Sequence, residues 1–151
     1  AVYQVVLEAQ LAALDACKPG ATLPEIHRVA VRKLVEGMVS LGLLHGTVDE
    51  LIEQEKHRAY YMHNTSHWLG LDVHDAGAYT RGDEARKLEP GMAFTVEPGL
   101  YVARDAQDAP ARLRGIGVRI EDDVVVTADG HENLNAAIPK RIDEVEAWIA
   151  G

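Results

Sequence analysis

Residues 61–75 read YMHNTSHWLGLDVHD and separate two parts of the chain that differ in pattern. Before this stretch, apolar residues recur at helical spacing over residues 2–17 and again over residues 22–42. After it, glycines separate short runs in which apolar and polar residues alternate, at residues 92–97 and 117–126. Helices followed by strands predict an α+β fold, in which the helices pack on one face of a mostly antiparallel sheet.

Local signals predict where the other elements begin and end. Thr22 and Glu25 have the spacing of a capping box, which indicates the start of the second helix. A short polar helix is expected over residues 49–56, and an amphipathic helix over residues 142–149. Residues 104–114 are polar and predict a mobile surface loop.

Length and charge limit the classes of function. The chain of 151 residues has the size of a single domain. Its formal net charge of −9 argues against a nucleic-acid partner, because a phosphate backbone would be repelled. Cys17 is the single cysteine and cannot form a disulfide within the chain, which favours a reducing, cytoplasmic location. No apolar run reaches the length of a membrane span, so no membrane partner is expected.

Three of the seven histidines lie in the stretch quoted first: His63, His67 and His74. His63 and His67 are four residues apart and share one side of the chain in either a helix or a strand. His74 reaches the same cavity only if the chain bends near Gly70. A single histidine would be interpreted as a partly buried ring, but three beside Trp68 favour a site, because imidazole is a common metal ligand and proton carrier.

Two glutamates lie in strands that are otherwise apolar. Glu97 ends the first strand directly before Pro98 and shares a strand face with Thr95. Glu121 lies in the second strand on the same face as Arg119, where a simple surface ion pair is the alternative interpretation. A carboxylate in so apolar a strand is costly unless it is paired or bound to a cation. One imidazole and two carboxylates suit Mn, Co, Fe or Zn and suggest two ions that activate a shared water.

Together these motifs resemble the C-terminal catalytic domain of the aminopeptidase P family, the Xaa-Pro aminopeptidases of the pita-bread (creatinase/aminopeptidase) fold. The resemblance rests on HNTSHWLGLDVHD (63–75), EPGM (89–92), TVEPGLY (95–101) and RIED (119–122). It covers nearly the whole chain, so residues 1–151 are expected to form the C-terminal part of a catalytic domain with a curved, incomplete sheet. It implies removal of the first residue from peptides with proline second, through water activated by two divalent ions. Manganese is the expected metal, with cobalt or zinc as alternatives.

The resemblance also implies roles for individual residues. His67 and Glu97 would bind one ion, and Glu121 would bridge two. The remaining roles concern the substrate and the orientation of the carboxylates: His63 and His74 in substrate binding and catalysis, Arg119 in orienting the carboxylates, and Tyr101 at the rim of the substrate site.

Two further ligands of the family are aspartates on a hairpin that would precede Ala1, whereas Asp15 and Asp49 of this chain lie on helix-like sequence. The chain also begins without methionine, so it is expected to be part of a longer protein. Alone, it is predicted to bind metal weakly or not at all and to lack peptidase activity. A missing N-terminal segment or a second copy of the chain is expected to cover an unpaired sheet edge.

Other interpretations stay open. A prolidase-type Xaa-Pro dipeptidase and creatinase share the fold, although residues 66–75 are nearest to aminopeptidase P and the metal-free creatinase would not need both Glu97 and Glu121. Pita-bread modules that bind peptides or histones without catalysis form a different class. Such a module would have no reason to retain His67 together with both glutamates and the two neighbouring histidines.

Overall fold

The computed structural model describes residues 1–151. Its helices are α1 (Val2–Asp15), α2 (Leu23–Leu41), α3 (Val48–Glu53) and α4 (Ile142–Ala150). Its strands are β1 (Thr80–Arg81), β2 (Glu84–Ala85), β3 (Ala93–Val96), β4 (Gly99–Tyr101), β5 (Gly117–Arg119), β6 (Asp122–Val126) and β7 (His131–Asn133). Two single-turn 3-10 helices span Lys56–Ala59 and Ala111–Leu113. None of the four α-helices combines the length and the hydropathy that crossing a bilayer requires.

The predicted helix signals are confirmed in α2. The Thr22 N–H donates to Glu25 Oε2 at 2.8 Å, and the Glu25 N–H donates to Thr22 Oγ1 at 3.3 Å, which completes the capping box. The helix ends at Gly42, whose φ of 75° is the left-handed conformation that glycine adopts without strain. The first helix ends at Asp15, two residues earlier than expected, and the short third helix gives way to a 3-10 turn.

The first two helices approach closely where Gly37 faces Val5. A Cβ built at Gly37 would overlap the Val5 side chain and come within 2.9 Å of its Cβ. We therefore expect Gly37→Ala to destabilise the fold by up to about 2 kcal/mol, because overpacking costs about 1–3 kcal/mol and the better helix propensity of alanine offsets only about 1 kcal/mol of it. Urea unfolding measures the change, with exposed Ser40→Ala on the same helix as the control. A more stable Gly37→Ala protein would contradict this close packing.

All strand pairs are antiparallel, and the longest pairing is interrupted. β3 pairs with β6, and β4 pairs with β5, in one continuous register that places Val96 opposite Asp122 and Gly99 opposite Arg119. The strand predicted over residues 117–126 is therefore present, but it is divided into β5 and β6 by the two residues Ile120 and Glu121. The interruption lies opposite Pro98, which has no N–H to donate to a ladder.

The helices cover one face of these strands. The first helix contacts β3, β4 and β5 as well as α2. Two apolar clusters fill the space between the layers, and the one behind β3 and β6 includes Trp68, Phe94, Val96 and Val124. Phe94, Val96 and Val124 are fully buried, so the strands next to the two glutamates rest on a close-packed apolar support.

A buried polar contact joins distant parts of the chain. Asp122 and Gln10 are both fully buried, and Gln10 Nε2 donates to Asp122 Oδ2 at 2.7 Å. The Lys140 ammonium lies 2.8 Å from Asp122 Oδ1. The Tyr3 hydroxyl donates to the Lys140 carbonyl at 2.7 Å. These contacts tie the segment before α4 to the first helix and to β6.

One other expectation needs correction, and the predicted last helix is confirmed. The segment 104–114 is not entirely a polar surface loop, because it forms a 3-10 turn and buries Ala109 and Leu113. The last helix exists, but none of its residues is buried, and Trp148 and Ile149 are exposed. Val145 is half-buried, and the other large apolar side chains of this helix are left exposed.

Candidate metal site

Two carboxylates face each other at the interruption of the long strand pairing. The register that pairs Val96 with Asp122 continues to Gly99 and Arg119, so Glu97 lies directly opposite Glu121. Like charges placed directly opposite each other destabilise a strand pair. This arrangement favours a cation between or beside the two carboxylates.

Arg119 supplies one such cation. Its Nε lies 3.6 Å from Glu97 Oε2, and its Nη2 lies 3.2 Å from Glu121 Oε2. The Glu97 side chain is 11% exposed and that of Glu121 is 38% exposed, so the pair extends from the interior to the surface. The guanidinium offsets part of the negative charge and fixes how the two carboxylates are oriented.

His67 reaches the same point from a neighbouring segment. The chain around it runs beside β3, where the Thr95 N–H donates to the His67 carbonyl at 3.0 Å and the Glu97 N–H donates to the Thr65 carbonyl at 2.7 Å. His67 Nδ1 lies 3.1 Å from the Trp68 carbonyl, which can only accept, so the ring proton is on Nδ1. The other ring nitrogen, Nε2, lies 3.1 Å from Glu97 Oε1 and is the atom that the ring could offer to a metal ion.

These three side chains form one group that could hold a metal ion. One ligand atom from each of His67, Glu97 and Glu121 lies within 4.8 Å of the other two. One nitrogen and two carboxylate oxygens suit ions such as Mn, Co or Zn. The donor set therefore fits a divalent ion, and the hydrogen bond from Nδ1 to a carbonyl is the usual support for a metal-binding histidine.

His63 and Tyr101 pair at the edge of this group. His63 Nδ1 lies 2.8 Å from the Asn64 carbonyl, so Nδ1 is the protonated nitrogen of the neutral ring. His63 Nε2 then accepts from the Tyr101 hydroxyl at 2.8 Å. Burial raises the pKa of Tyr101, and the nearby Arg119 guanidinium acts in the opposite direction.

His74 comes close because the chain reverses direction after Gly70. The Asp75 N–H donates to the Trp68 carbonyl at 3.1 Å, which closes this loop. The His74 and His67 rings then meet edge to face, with centroids 4.3 Å apart. His74 is exposed and is not one of the three possible ligands.

The structure thus brings all seven residues selected from the sequence to one region, and it adds three that were missed. Thr95 donates to Glu97 Oε1 at 3.0 Å and accepts from the His67 N–H at 3.1 Å, so it bridges two possible ligands. Its place two residues before Glu97, between apolar neighbours, was the available signal. Thr65 and His27 lie behind the site, and nothing local in the sequence connects residues 38 positions apart.

His27 is held neutral in this layer. Burial lowers its pKa to about 4 from the usual 6.5, and nearby cationic side chains act in the same direction. The unfolded chain takes up this proton below pH 6.5 while the folded chain resists it, so the stability contribution is complete above pH 6.5 and is lost as the pH falls toward 4. We expect His27→Asn to show a shallower loss of stability over this range. Urea unfolding midpoints measured at several pH values test this expectation. An equal dependence of the midpoint on pH in both proteins would contradict it.

Comparison with known proteins places these observations in context. A family model described as Metallopeptidase family M24 matches residues 1–128. The chain is 53% identical to the Xaa-Pro aminopeptidase of Escherichia coli K12 over 148 residues, which is 98% of the chain and 33% of that protein. The Xaa-Pro dipeptidase of Homo sapiens is 39% identical over 179 residues, covering 100% of the chain and 36% of that protein.

A solved structure agrees with the sequence matches. Aminopeptidase PepP of Pseudomonas aeruginosa superposes with a TM-score of 0.97 at 54% identity, over 99% of the chain and 34% of that structure's chain. This superposition confirms the α+β pita-bread fold that the sequence predicted. The chain spans about a third of the length of the relatives that it matches.

Proposed function

Because the chain belongs to metallopeptidase family M24, we propose that the protein is a metal-dependent Xaa-Pro aminopeptidase. It would remove the first residue from peptides that have proline at the second position. The observation that carries this proposal is the group formed by His67, Glu97 and Glu121, with His63 and His74 beside it. The Xaa-Pro aminopeptidase relative, at 53% identity, is nearer than the Xaa-Pro dipeptidase at 39%.

Membership of this family implies divalent metal ions. We propose that His67, Glu97 and Glu121 hold them and that manganese is the working metal. When bound, such ions polarise the scissile carbonyl and lower the pKa of water. Residues 1–151 then form the C-terminal part of the catalytic domain.

The chain's own side chains would position the substrate. Arg119 keeps both carboxylates turned toward the site through its two ion pairs. The proton of Tyr101 is directed at His63, which leaves the phenol oxygen able to accept from a substrate N–H. His74 is exposed beside His67 and would donate a ring N–H to the peptide carbonyl.

The experiment uses the protein as its gene encodes it, stripped of metal by a chelator and reloaded separately with Mn²⁺, Co²⁺ or Zn²⁺. The substrates are a tripeptide with proline second, the matched tripeptide with alanine second, and the Xaa-Pro dipeptide. We expect the first to be cleaved fastest, with Mn²⁺ the most effective ion. Rate is the better criterion because zinc generally binds nitrogen and oxygen sites more tightly than manganese does.

The same experiment separates the alternatives. Preference for the dipeptide would indicate a prolidase-type enzyme. Binding of peptides without cleavage under any metal would indicate a non-catalytic module and would overturn the proposal.

Residues 1–151 produced alone are expected to bind Mn²⁺ weakly or not at all and to show no peptidase activity. The described residues provide one group of three ligands with two negative charges, and affinity depends on ligand count and charge. Asp15 and Asp49 are not in this group. Titration calorimetry measures the affinity, and tight binding of two ions would contradict this expectation.

Two further features belong to the same proposal. A cytoplasmic location agrees with Cys17 being buried and free. We also propose that a second copy of the chain, or another segment of the same protein, covers the edge of the small sheets, which have only two or three strands each. Sedimentation analysis of the gene-encoded protein shows whether a second copy of the chain is bound.

A further inference from the structure

We infer that His27, on the second helix, is a positioning residue for the metal site. It acts through Thr65, which connects it to the backbone that carries His67 and to Glu97. The inference rests on the proposed metal site, because its consequence is a change in metal affinity.

The contacts of His27 fix the direction of every proton in this layer. The Thr65 N–H donates to His27 Nδ1 at 3.2 Å, so Nδ1 carries a lone pair and the ring proton is on Nε2. The Thr65 hydroxyl lies 2.9 Å from the same Nδ1 and shares its single lone pair as a second donor. The Tyr61 hydroxyl, 2.7 Å from Thr65 Oγ1, is then the donor in that contact. The chain of donors therefore runs from Tyr61 through Thr65 to His27.

This layer is buried and has one consistent arrangement. Tyr61 is 1% exposed and Thr65 is 0% exposed, so water cannot replace a lost partner at Thr65. The His27 and Tyr61 rings are also neighbours, with centroids 5.7 Å apart. Removing the acceptor at His27 leaves the Thr65 N–H without a partner, and the segment must move to find one.

Movement of Thr65 would reach the possible ligands directly. Its carbonyl accepts from the Glu97 N–H at 2.7 Å, the shortest of the three backbone contacts between this segment and β3. His67 follows two residues later on the same segment, and its Nε2 lies 3.1 Å from Glu97 Oε1. Thr65 therefore sets the spacing between the imidazole and the carboxylate, and His27 holds Thr65.

The test compares Mn²⁺ affinity by titration calorimetry in the gene-encoded protein and its variants. His27→Phe removes the acceptor and is expected to weaken binding about 10–100-fold, the usual range for residues that support metal ligands. His27→Asn places an amide oxygen near the position of Nδ1 and is expected to restore most of the affinity. His45→Phe, at an exposed histidine, is the matched control and should bind as the unsubstituted protein does.

The outcomes separate this inference from the proposed function. If the unsubstituted protein binds no Mn²⁺, the proposed metal site fails first. If it binds and His27→Phe binds equally well, His27 has only a structural role and the inference is wrong. Loss of stability without loss of affinity in the folded protein would likewise show that the role of His27 is only structural. Should His27→Phe not fold, Thr65→Val carries the test, because it keeps the backbone contact to Glu97 and replaces only the hydroxyl by a methyl group. Unchanged Mn²⁺ affinity in Thr65→Val would overturn the inference.

Discussion

Replacing Glu97 by glutamine is expected to reduce Mn²⁺ affinity and peptidase activity by more than about 100-fold, beyond the range for residues that only support ligands. Glutamine preserves the size of the side chain but removes the negative charge, and its amide nitrogen cannot bind a cation. Glu97 is the more buried of the two opposed carboxylates, so water can replace it less easily than Glu121. Calorimetric titration and initial rates on a proline-second tripeptide measure the two losses.

The fold of this variant should remain intact. Removing one of two opposed negative charges relieves a cross-strand repulsion, and Arg119 keeps its contact with Glu121. Glu132→Gln makes the same chemical change at an exposed position of β7 and serves as the control. Activity in Glu97→Gln equal to that of the control would show that Glu97 is not a ligand.

Much of this site was predictable because its residues break local rules. Glu97 and Glu121 are carboxylates in apolar strands, and the alternation that exposes Glu121 and buries Asp122 continues through the interruption. For the same reason the sequence pattern does not reveal the interruption, because a strand that is interrupted without losing register keeps its alternation. Pro98 lies between β3 and β4, and only the register shows that it faces Ile120.

The supporting layer could not be predicted in this way. His27 lies on α2, where the apolar stripe accounts for the sequence pattern without any role for the histidine. Its hydrogen-bond partner, Thr65, is 38 residues away. Gln10 and Asp122 are 112 residues apart. Such contacts depend on how the helices are placed on the sheet, and helix placement follows from side-chain packing over the whole core.

Asp122→Ala is expected to destabilise the protein by about 3 kcal/mol, the lower end of the range for breaking a buried ion pair. Asp122 is 0% exposed, whereas the Lys140 side chain is 16% exposed. The Lys140 ammonium would keep its hydrogen bonds to the Asn135 carbonyl at 2.8 Å and the Ile138 carbonyl at 3.3 Å. Its charge therefore stays partly stabilised, which is why the lower end of the range is expected.

Gln10 also contributes to the loss of stability in Asp122→Ala. Its Oε1 already has no hydrogen-bond partner, and its Nε2 would lose the Asp122 carboxylate while remaining fully buried. An unsatisfied buried donor costs about 1–3 kcal/mol. The stability of Asp122→Asn should lie between those of the unsubstituted protein and Asp122→Ala. The amide oxygen still accepts from Gln10, but it no longer balances the charge of the Lys140 ammonium.

Urea unfolding of four proteins separates these terms: the unsubstituted chain, Asp122→Ala, Lys140→Met and the double variant. If the ion pair is responsible, the double variant loses less stability than the sum of the single variants, because neither partner is left as an uncompensated charge. Asp123→Ala, at the half-buried neighbouring position, is the control and should change stability by about 0.5–1 kcal/mol. Strict additivity of the two single substitutions would show that Asp122 is stabilised by Gln10 alone and that Lys140 merely lies beside it.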